Sequence, residues 1–455
     1  MKTRIKGAKI VLEDRVVEGD IVIEGEKILA INPTETVICE NELDVTGCIV
    51  FPGFIDPHTH MSLQQSEQFR AADDFYSGTV AAALGGTTTI IDHIAFSPMG
   101  SPLMRSIENY HTLAKGAVID YGFHGVVQYV DDAIVDELKH IVKSEGVSSF
   151  KAYSTYGFPS GDREFLLLLS ALKEVDGVLT VHCENDGITK YYNEIFRKNK
   201  QLTMRNYPKS RPNLAEAETV GRLIGWADHL GDVPVYIVHT SARESLQRVA
   251  QARVRGQKNI YVETCTQYLL LDESRYAGDA VLASEYLMAP PLRSKADQSA
   301  LWQALLDGSI QTVGTDHCPF MRAEKHLGKD DYSKAPGGVA GVQERPVLMY
   351  EEAVVKRGMS LVDFASVMST NAAKIFKCYP QKGVIKVGAD ADLVVLNPSV
   401  ATQVNSQMLA SNCDYSPYQG FQSSASIEKV FSRGRQIVNA GEFLGVAGVG
   451  KFIRR

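Results

Sequence analysis

A chain of 455 residues, 44% hydrophobic and 22% charged, with 47 Lys+Arg against 54 Asp+Glu for a formal charge of −7, has the composition of a globular enzyme. That excludes a disordered tail protein and a collagen-like fibre, and with no Lys/Arg cluster there is no electrostatic footprint for nucleic acid or an anionic membrane. A small-molecule partner is expected, and the length accommodates one barrel of about 250 residues with a smaller appended unit.

The opening MKTRIKGAKIVLEDRVVEGD mixes charges throughout and has no apolar h-region. No later stretch is predominantly apolar over the roughly eighteen residues that a membrane span requires. Seven cysteines, at positions 39, 48, 183, 265, 318, 378 and 413, are scattered and never spaced as C-x-x-C. Neither a disulfide framework nor a thiolate zinc site is indicated, so reduced thiols and a cytoplasmic location are expected.

Residues 1–50 read as short strands: AKIVLED, then RVVEGDIVIEGEKILAI, near-alternating Ile and Val punctuated by Glu-Gly turns. At FPGFIDPHTH (51–60) the pattern changes, and apolar runs then alternate with helical stretches. The predicted strands are the run ending in HTH, then TTTIIDHIAF (87–96), DYGFHGVVQY (120–129), SFKAY (149–153), VLTVHCEN (178–185), VPVYIVHTS (233–241), NIYVETC (259–265) and IQTVGTDHC (310–318). Stretches such as DREFLLLLSALKEVDG and NLAEAETVGRLIGWADHLG suit the crossover helices between them. This is the arithmetic of an α/β fold, a (β/α)8 TIM-like barrel over 51–379. From PQKGVIKVGADADLVVLNP (380–398) through SIEKVFSRGRQIVNAGEF (426–443) the chain reads as β again. Residues 1–50 and 380–443 are therefore expected to build one small β-sandwich from both termini, leaving 444–455 as a carboxy-terminal tail.

The polar residues at the strand ends carry the chemistry. His58, His60, Lys151, His182, His239 and Asp316 each fall at or near the carboxyl end of a predicted strand, the end at which barrel active sites are built. His58 and His60 are two apart, so in a strand both imidazoles share a face and can ligate one metal. His182 and His239 each follow an apolar run and read either as ligands or as core histidines bonded to backbone. Asp316 ends another apolar run, where an unpaired carboxylate costs several kcal/mol and needs a cation nearby. His317 beside it reads as a ligand or as a supporting residue. Lys151 is either a solvated strand-end lysine or a neutral amine that captures carbon dioxide, becoming a carbamate whose two oxygens bridge two metals. Four histidines, one carbamate and one aspartate would then hold a binuclear pair about 3.5–4 Å apart.

GFIDPHTH, GGTTT, SSFKAYSTYGF, TVHCEND, IVHTS, ETCTQYLLLD, APPLR, GTDHCPF, QKGVIKVGADADLVVLNP and DYSPYQGF together resemble the hydantoinase/dihydropyrimidinase family of cyclic amidohydrolases over nearly the whole chain. AADDFYSGTVAAALGGTT, GAVIDYGFHGVVQ and the RR-containing tail resemble its bacterial D-phenylhydantoinase branch most. The resemblance implies a buried metal with His58, His60 and Asp316, a more exposed one with His182 and His239, and N6-carboxylated Lys151 bridging them. It implies zinc, with manganese or cobalt as alternatives, and a bridging hydroxide as nucleophile. Asp316 would act as general base and then acid, and Tyr156 would hydrogen-bond the developing oxyanion.

Two departures from the family pattern bear on substrate fit: Ala289 in MAPPLR stands where the family has Ser, and Gly337 in APGGV where it has Asn. The family uses both positions to hold the substrate imide largely through backbone groups. Met61, Leu63, Phe69 and Phe158 are candidates for the pocket that takes the exocyclic substituent. The activity implied is D-selective ring opening of 5-substituted aromatic hydantoins to N-carbamoyl amino acids. Dihydropyrimidinase is the nearest alternative and allantoinase a further one. Dihydroorotase is disfavoured by Ser62, where an Arg is usual. A non-catalytic scaffold is the alternative of another class, but such relatives lack ligands that this chain retains. A homotetramer, its tail reaching a neighbouring subunit, completes the expectation.

Overall fold

In the computed structural model, residues 2–34 and 37–455 are described, so residues 1, 35 and 36 of the expected amino-terminal β unit lie outside the described residues. Eight strands follow one another in both sequence and space: β6 (Phe54–Thr59), β7 (Thr87–His93), β8 (Asp120–Val126), β9 (Ser149–Tyr153), β10 (Val178–His182), β11 (Val235–Ile237), β12 (Ile260–Cys265) and β13 (Thr312–Gly314). Every neighbouring pair is parallel. The ring is completed just past β13, where His317 bridges Thr59 and its carbonyl accepts from the His60 N–H at 2.9 Å. This is the expected TIM-like barrel.

The crossover helices form because one face of each is apolar at helical spacing. In Asp162–Glu174, Phe165, Leu168, Leu169 and Leu172 are buried, and in Asn213–His229, Val220, Leu223, Ile224 and Ala227 are. That i, i+3, i+4, i+7 spacing puts one stripe against the barrel wall. Inside, the foot of the barrel is filled by a cluster containing Ile55, Ile91, Tyr236, Phe376 and Ile453.

A second, mixed sheet is made from both ends of the chain. Its amino-terminal strands are β1 (Lys2–Val11), β2 (Val16–Glu24), β3 (Lys27–Ile31), β4 (Asn41–Asp44) and β5 (Ile49–Pro52); the carboxy-terminal ones are β14 (Leu393–Asn397), β17 (Ser426–Ser432), β18 (Arg435–Asn439) and β19 (Glu442–Phe443). The strands β15 (Thr402–Gln403) and β16 (Gln422–Ser423) pair only with each other. The two ends meet where β5 pairs with β14. Ile5, Ile10, Ile21, Ile23, Val50, Leu393, Val395 and Phe431 make a core of the sandwich's own.

Lys382 ties this sheet to the barrel. Its ammonium lies 2.5 Å from Asp120 on β8, 2.9 Å from Asp390 and 2.7 Å from Asp392, and Arg433 pairs with Asp120 as well. Residues 451–455 run back along the barrel: Lys451 bonds β8 through its carbonyl, the Ile453 N–H donates to the Tyr121 carbonyl, and Arg455 donates to the Phe123 carbonyl.

Candidate metal centre and active site

The barrel brings the predicted residues to one end. His58 Nε2 and His60 Nε2 lie 3.1 and 3.0 Å from the same oxygen, Asp316 Oδ1. His182 Nδ1 is 2.8 Å from His239 Nε2. Lys151 is buried beside them on β9, its Nζ 5.3 Å from the centre of the Tyr153 ring. Tyr156 Oη reaches to 3.3 Å from His182 Nε2. The centre is thus two knots of donor atoms, one around Asp316 and one at the His182–His239 pair, with Lys151 buried near both.

Two of the predicted strands, β11 and β13, shrink to three residues each, and the reason is local. His239 (φ 37°) and Asp316 (φ 51°), each two residues past the end of its strand, adopt left-handed backbone conformations that turn the chain off the ladder, and Tyr156 (φ 75°) does so three residues beyond β9. Such conformations are uncommon for residues with a side chain and cluster at functional sites. At Gly314, the last residue of β13, an added Cβ would stand 2.9 Å from Glu263 Oε2 and 3.2 Å from His58 Cβ, so glycine is needed for the chain to turn toward Asp316 against these groups.

The donor set suits a cation. Among the described residues, His58 Nε2 is buried beside Asp316 without making a hydrogen bond, and His60 Nδ1 is buried without a partner. Burial works against a charged His58, yet Glu263 and Asp316 outweigh it and push its pKa up to about 9. Burial raises Asp316 as well, but the neighbouring imidazoles pull it well below the usual carboxylate range. Both shifts express one preference, for positive charge between these atoms. Burial lowers the Lys151 amine to about 8, against the attraction of Asp316 and Glu263. A less basic amine spends more of its time in the neutral form that carbon dioxide requires.

The supporting carboxylates were not singled out from the sequence. Glu263 Oε1 lies 2.6 Å from His58 Nδ1 and accepts from the His239 N–H at 2.8 Å, while its other oxygen accepts from Tyr236 Oη at 2.8 Å. Glu184 accepts from His182 Nε2 at 2.7 Å and from Arg211 at 2.5 Å. Arg211 in turn lies over the Tyr156 ring at 5.4 Å. In NIYVETC, Glu263 showed the same signal as Asp316, a carboxylate inside an apolar strand. His317 is a supporting residue: Nε2 pairs with Asp73 at 2.9 Å and Nδ1 accepts from the Gly341 N–H at 3.2 Å.

Around the mouth, Phe96 stacks edge-on against Tyr153 at 5.6 Å and Phe158 at 6.2 Å, and Tyr153 against Tyr156 at 5.7 Å. Tyr156 is 44% and Phe158 43% exposed, so this aromatic wall faces outward. Met61 does not join it, being fully buried where Gly78 of the helix Phe75–Leu84 makes room for its sulfur. Leu63 and Phe69 are half-buried in the loop after β6. That loop also sends Gln65 Nε2 to the Gly337 carbonyl at 2.8 Å. Ala289 and Gly337 are half-buried, and a Cβ on Gly337 would come no closer than 4.0 Å to Met288 Cα, so the two departures lie side by side.

Comparison with known proteins agrees with this geometry. The model of the amidohydrolase family matches residues 49–437. The chain belongs to the amidohydrolase family. It is 40% identical to a D-phenylhydantoinase of Escherichia coli O1:K1, covering all of this chain and 98% of that one. Among solved structures it matches the dihydropyrimidinase of Brevibacillus agri NCHU1002 (TM-score 0.97, 36% identity) and the D-hydantoinase of Bacillus sp. AR9 (0.96, 38%), each over 100% of this chain and 99% of theirs. An L-hydantoinase of Arthrobacter aurescens matches at 0.91 with 28% identity, over 100% of this chain and 99% of its own. The chain is therefore an enzyme of the cyclic amidohydrolase class. Amidohydrolases typically hold a binuclear metal site, and this barrel carries groups able to ligate one. Among the described residues no helix is long and apolar enough to cross a membrane, and all seven cysteines are free.

Proposed function

We propose that this amidohydrolase opens the ring of 5-monosubstituted aromatic hydantoins with D-selectivity, giving N-carbamoyl-D-amino acids. The observation that carries the reading is the convergence of His58, His60 and Asp316 on one point and of His182 and His239 on another, with Lys151 buried near both. His58, His60 and Asp316 would hold the more buried of two divalent ions, His182 and His239 the more exposed, and the carbamate formed from Lys151 and carbon dioxide would join them. Zinc is the expected metal, and a His/carboxylate set also accepts manganese or cobalt. When bound, the ions supply Lewis acidity, lowering the pKa of water toward about 7 and polarising an amide carbonyl.

The protein's own groups do the rest. Hydrolysis adds hydroxide to the ring carbonyl carbon and a proton to the ring nitrogen as the C–N bond breaks. Asp316, held against two imidazoles, takes the water proton and delivers it to the leaving nitrogen. Tyr156, beside His182 at the open mouth, donates its O–H to the oxygen on which charge develops. Backbone groups around Ala289 and Gly337 orient the imide, and the wall of Phe96, Tyr153 and Phe158 takes the aryl substituent. The domain division follows the same reading: sandwich from 1–50 and 380–443, catalytic barrel over 51–379, tail over 444–455. A homotetramer, in the cytoplasm where seven unpaired cysteines are at home, completes the proposal.

The test is ring opening of D- and L-5-phenylhydantoin against dihydrouracil by protein reconstituted with zinc and bicarbonate, followed by ultraviolet absorbance and chiral chromatography. Faster turnover of the D-phenyl compound is expected. Preference for dihydrouracil would favour the second reading, dihydropyrimidinase, which the 0.97 TM-score to a dihydropyrimidinase supports. Chelation should abolish turnover, and return of activity should need metal and bicarbonate together.

A further inference from the structure

One imidazole at the centre has no part in this scheme. His93 ends β7 next to β6, where Thr59 pairs with Asp92, so it stands level with His60 and turns into the barrel beside it. Its ring lies 4.2 Å from that of His58 and 5.3 Å from that of His60. One ring nitrogen from each of His58, His60 and His93 falls within a span of 4.8 Å. The residue is 1% exposed, and neither of its ring nitrogens has a hydrogen-bond partner among the described residues.

The neighbouring histidines are different. His124, stacked beneath His93 at 4.3 Å, uses both nitrogens, on Ser149 Oγ at 2.7 Å and the Pro57 carbonyl at 3.0 Å. His58 has Glu263, His60 has Asp316, His182 has Glu184 and His317 has Asp73. A buried imidazole needs a partner for at least its N–H, and a nitrogen lone pair with none is a free ligand. In a packing role the same space would be filled at lower cost by an apolar ring.

We propose that His93 is a reserve ligand of the buried metal position: with His58, His60 and Asp316 it makes a four-donor set that holds one divalent ion while Lys151 is still a free amine. The inference rests on the binuclear reading above and deepens it. Metal loading then has two stages with different requirements. The first ion binds to three imidazoles and a carboxylate without carbon dioxide. The second, left with only His182 and His239, waits for the carbamate. Three nitrogens and one oxygen suit zinc or cobalt, the borderline ions that imidazole prefers.

The experiment measures metal rather than turnover. Full-length wild type, Lys151→Ala, His93→Gln and the double variant are stripped, titrated with cobalt in carbon dioxide-depleted buffer, and read by elemental analysis, visible d–d absorption and chelator competition. Lys151→Ala, and wild type in the same buffer, should hold about one cobalt per chain with a resolved visible band. Adding His93→Gln to Lys151→Ala should weaken that cobalt at least ~10-fold and alter the band, with circular dichroism unchanged. His93→Gln alone in bicarbonate should keep both ions. Equal affinity and identical spectra for the Lys151→Ala and double variants would overturn the proposal, as would absence of cobalt from Lys151→Ala and depleted wild type alike. Failure of wild type to take a second ion in bicarbonate would instead count against the binuclear reading, leaving the comparison of the two variants to decide the role of His93.

Discussion

Glu263 Oε1 lies 2.6 Å from His58 Nδ1, and both side chains are fully buried. The contact fixes the imidazole so that Nε2 is aimed at the point it shares with Asp316, where a bound cation would displace its proton, and the carboxylate makes that nitrogen a better donor. Removing the charge while keeping the shape separates these effects from packing. Glu263→Gln is expected to weaken metal binding about 10–100-fold. Chelator competition against wild type checks it, and undiminished affinity would confine Glu263 to its bonds with Tyr236 and the His239 backbone.

Tyr156 combines an exposed ring with a hydroxyl 3.3 Å from a proposed ligand, His182. If its O–H meets the developing oxyanion, Tyr156→Phe loses a bond that strengthens only in the transition state. Turnover should fall about 10²–10³-fold while metal content holds. A rise in KM with unchanged kcat would make Tyr156 a wall of the pocket only.

Much of the barrel was legible because each of its eight strands is a short apolar run set off by helical periodicity, and because six chemically expensive residues stood at the ends of those runs. What was not legible is what long-range pairing decides. Nothing in DADLVVLNP says that Leu393–Asn397 pairs with Ile49–Pro52, since a β register depends on partners more than 340 residues apart as much as on the strand itself. Glu263 was readable in principle, by the argument that singled out Asp316. Arg211 was not: it comes from the segment between two helices, and only the folded chain puts it beside Glu184 and Tyr156. His93 lies in TTTIIDHIAF, where nothing local distinguishes a ligand from a core histidine.

Asp73 links the loop after β6 to the segment around 411–413. It accepts from His317 Nε2 at 2.9 Å, Ser77 Oγ at 2.7 Å, Ser411 Oγ at 2.5 Å and the Asn412 N–H at 2.8 Å. Burial favours its neutral form, but His317, Ser411 and Asn412 prevail and lower its pKa below the ordinary value. A carboxylate depressed in the fold adds stability that is present above its unfolded pKa, about 3.9, and is lost as pH falls through the folded one. Wild type should therefore lose melting temperature more steeply below about pH 4 than Asp73→Asn, which has no such proton to take up. Parallel melting curves between pH 5 and 2.5 would remove Asp73 from the acid response.

Lys382 holds barrel and sandwich together by lying among Asp120, Asp390 and Asp392, with 1% of its side chain exposed. The three carboxylates come from β8 and from the approach to β14, so the ammonium neutralises charge that the fold has already brought together. Arg433 neutralises part of Asp120 and Lys27 pairs with Asp390 at 2.6 Å, so Asp392 depends most on Lys382. Burial disfavours a charged lysine here, but the three aspartates more than compensate and raise its pKa above the ordinary value. Lys382→Met leaves the aspartates to repel one another in a buried place, and removing one partner from such a cluster costs about 3–5 kcal/mol. A large fall in melting temperature is expected, with metal content in the surviving folded protein unchanged because the cluster lies at the opposite end of β8 from the metal centre. Replacing Asp392 by Asn in the same background should recover part of the loss by removing one of the stranded charges. If the double variant is no more stable than Lys382→Met, the junction is held by its apolar packing, and the ion cluster contributes only specificity of docking.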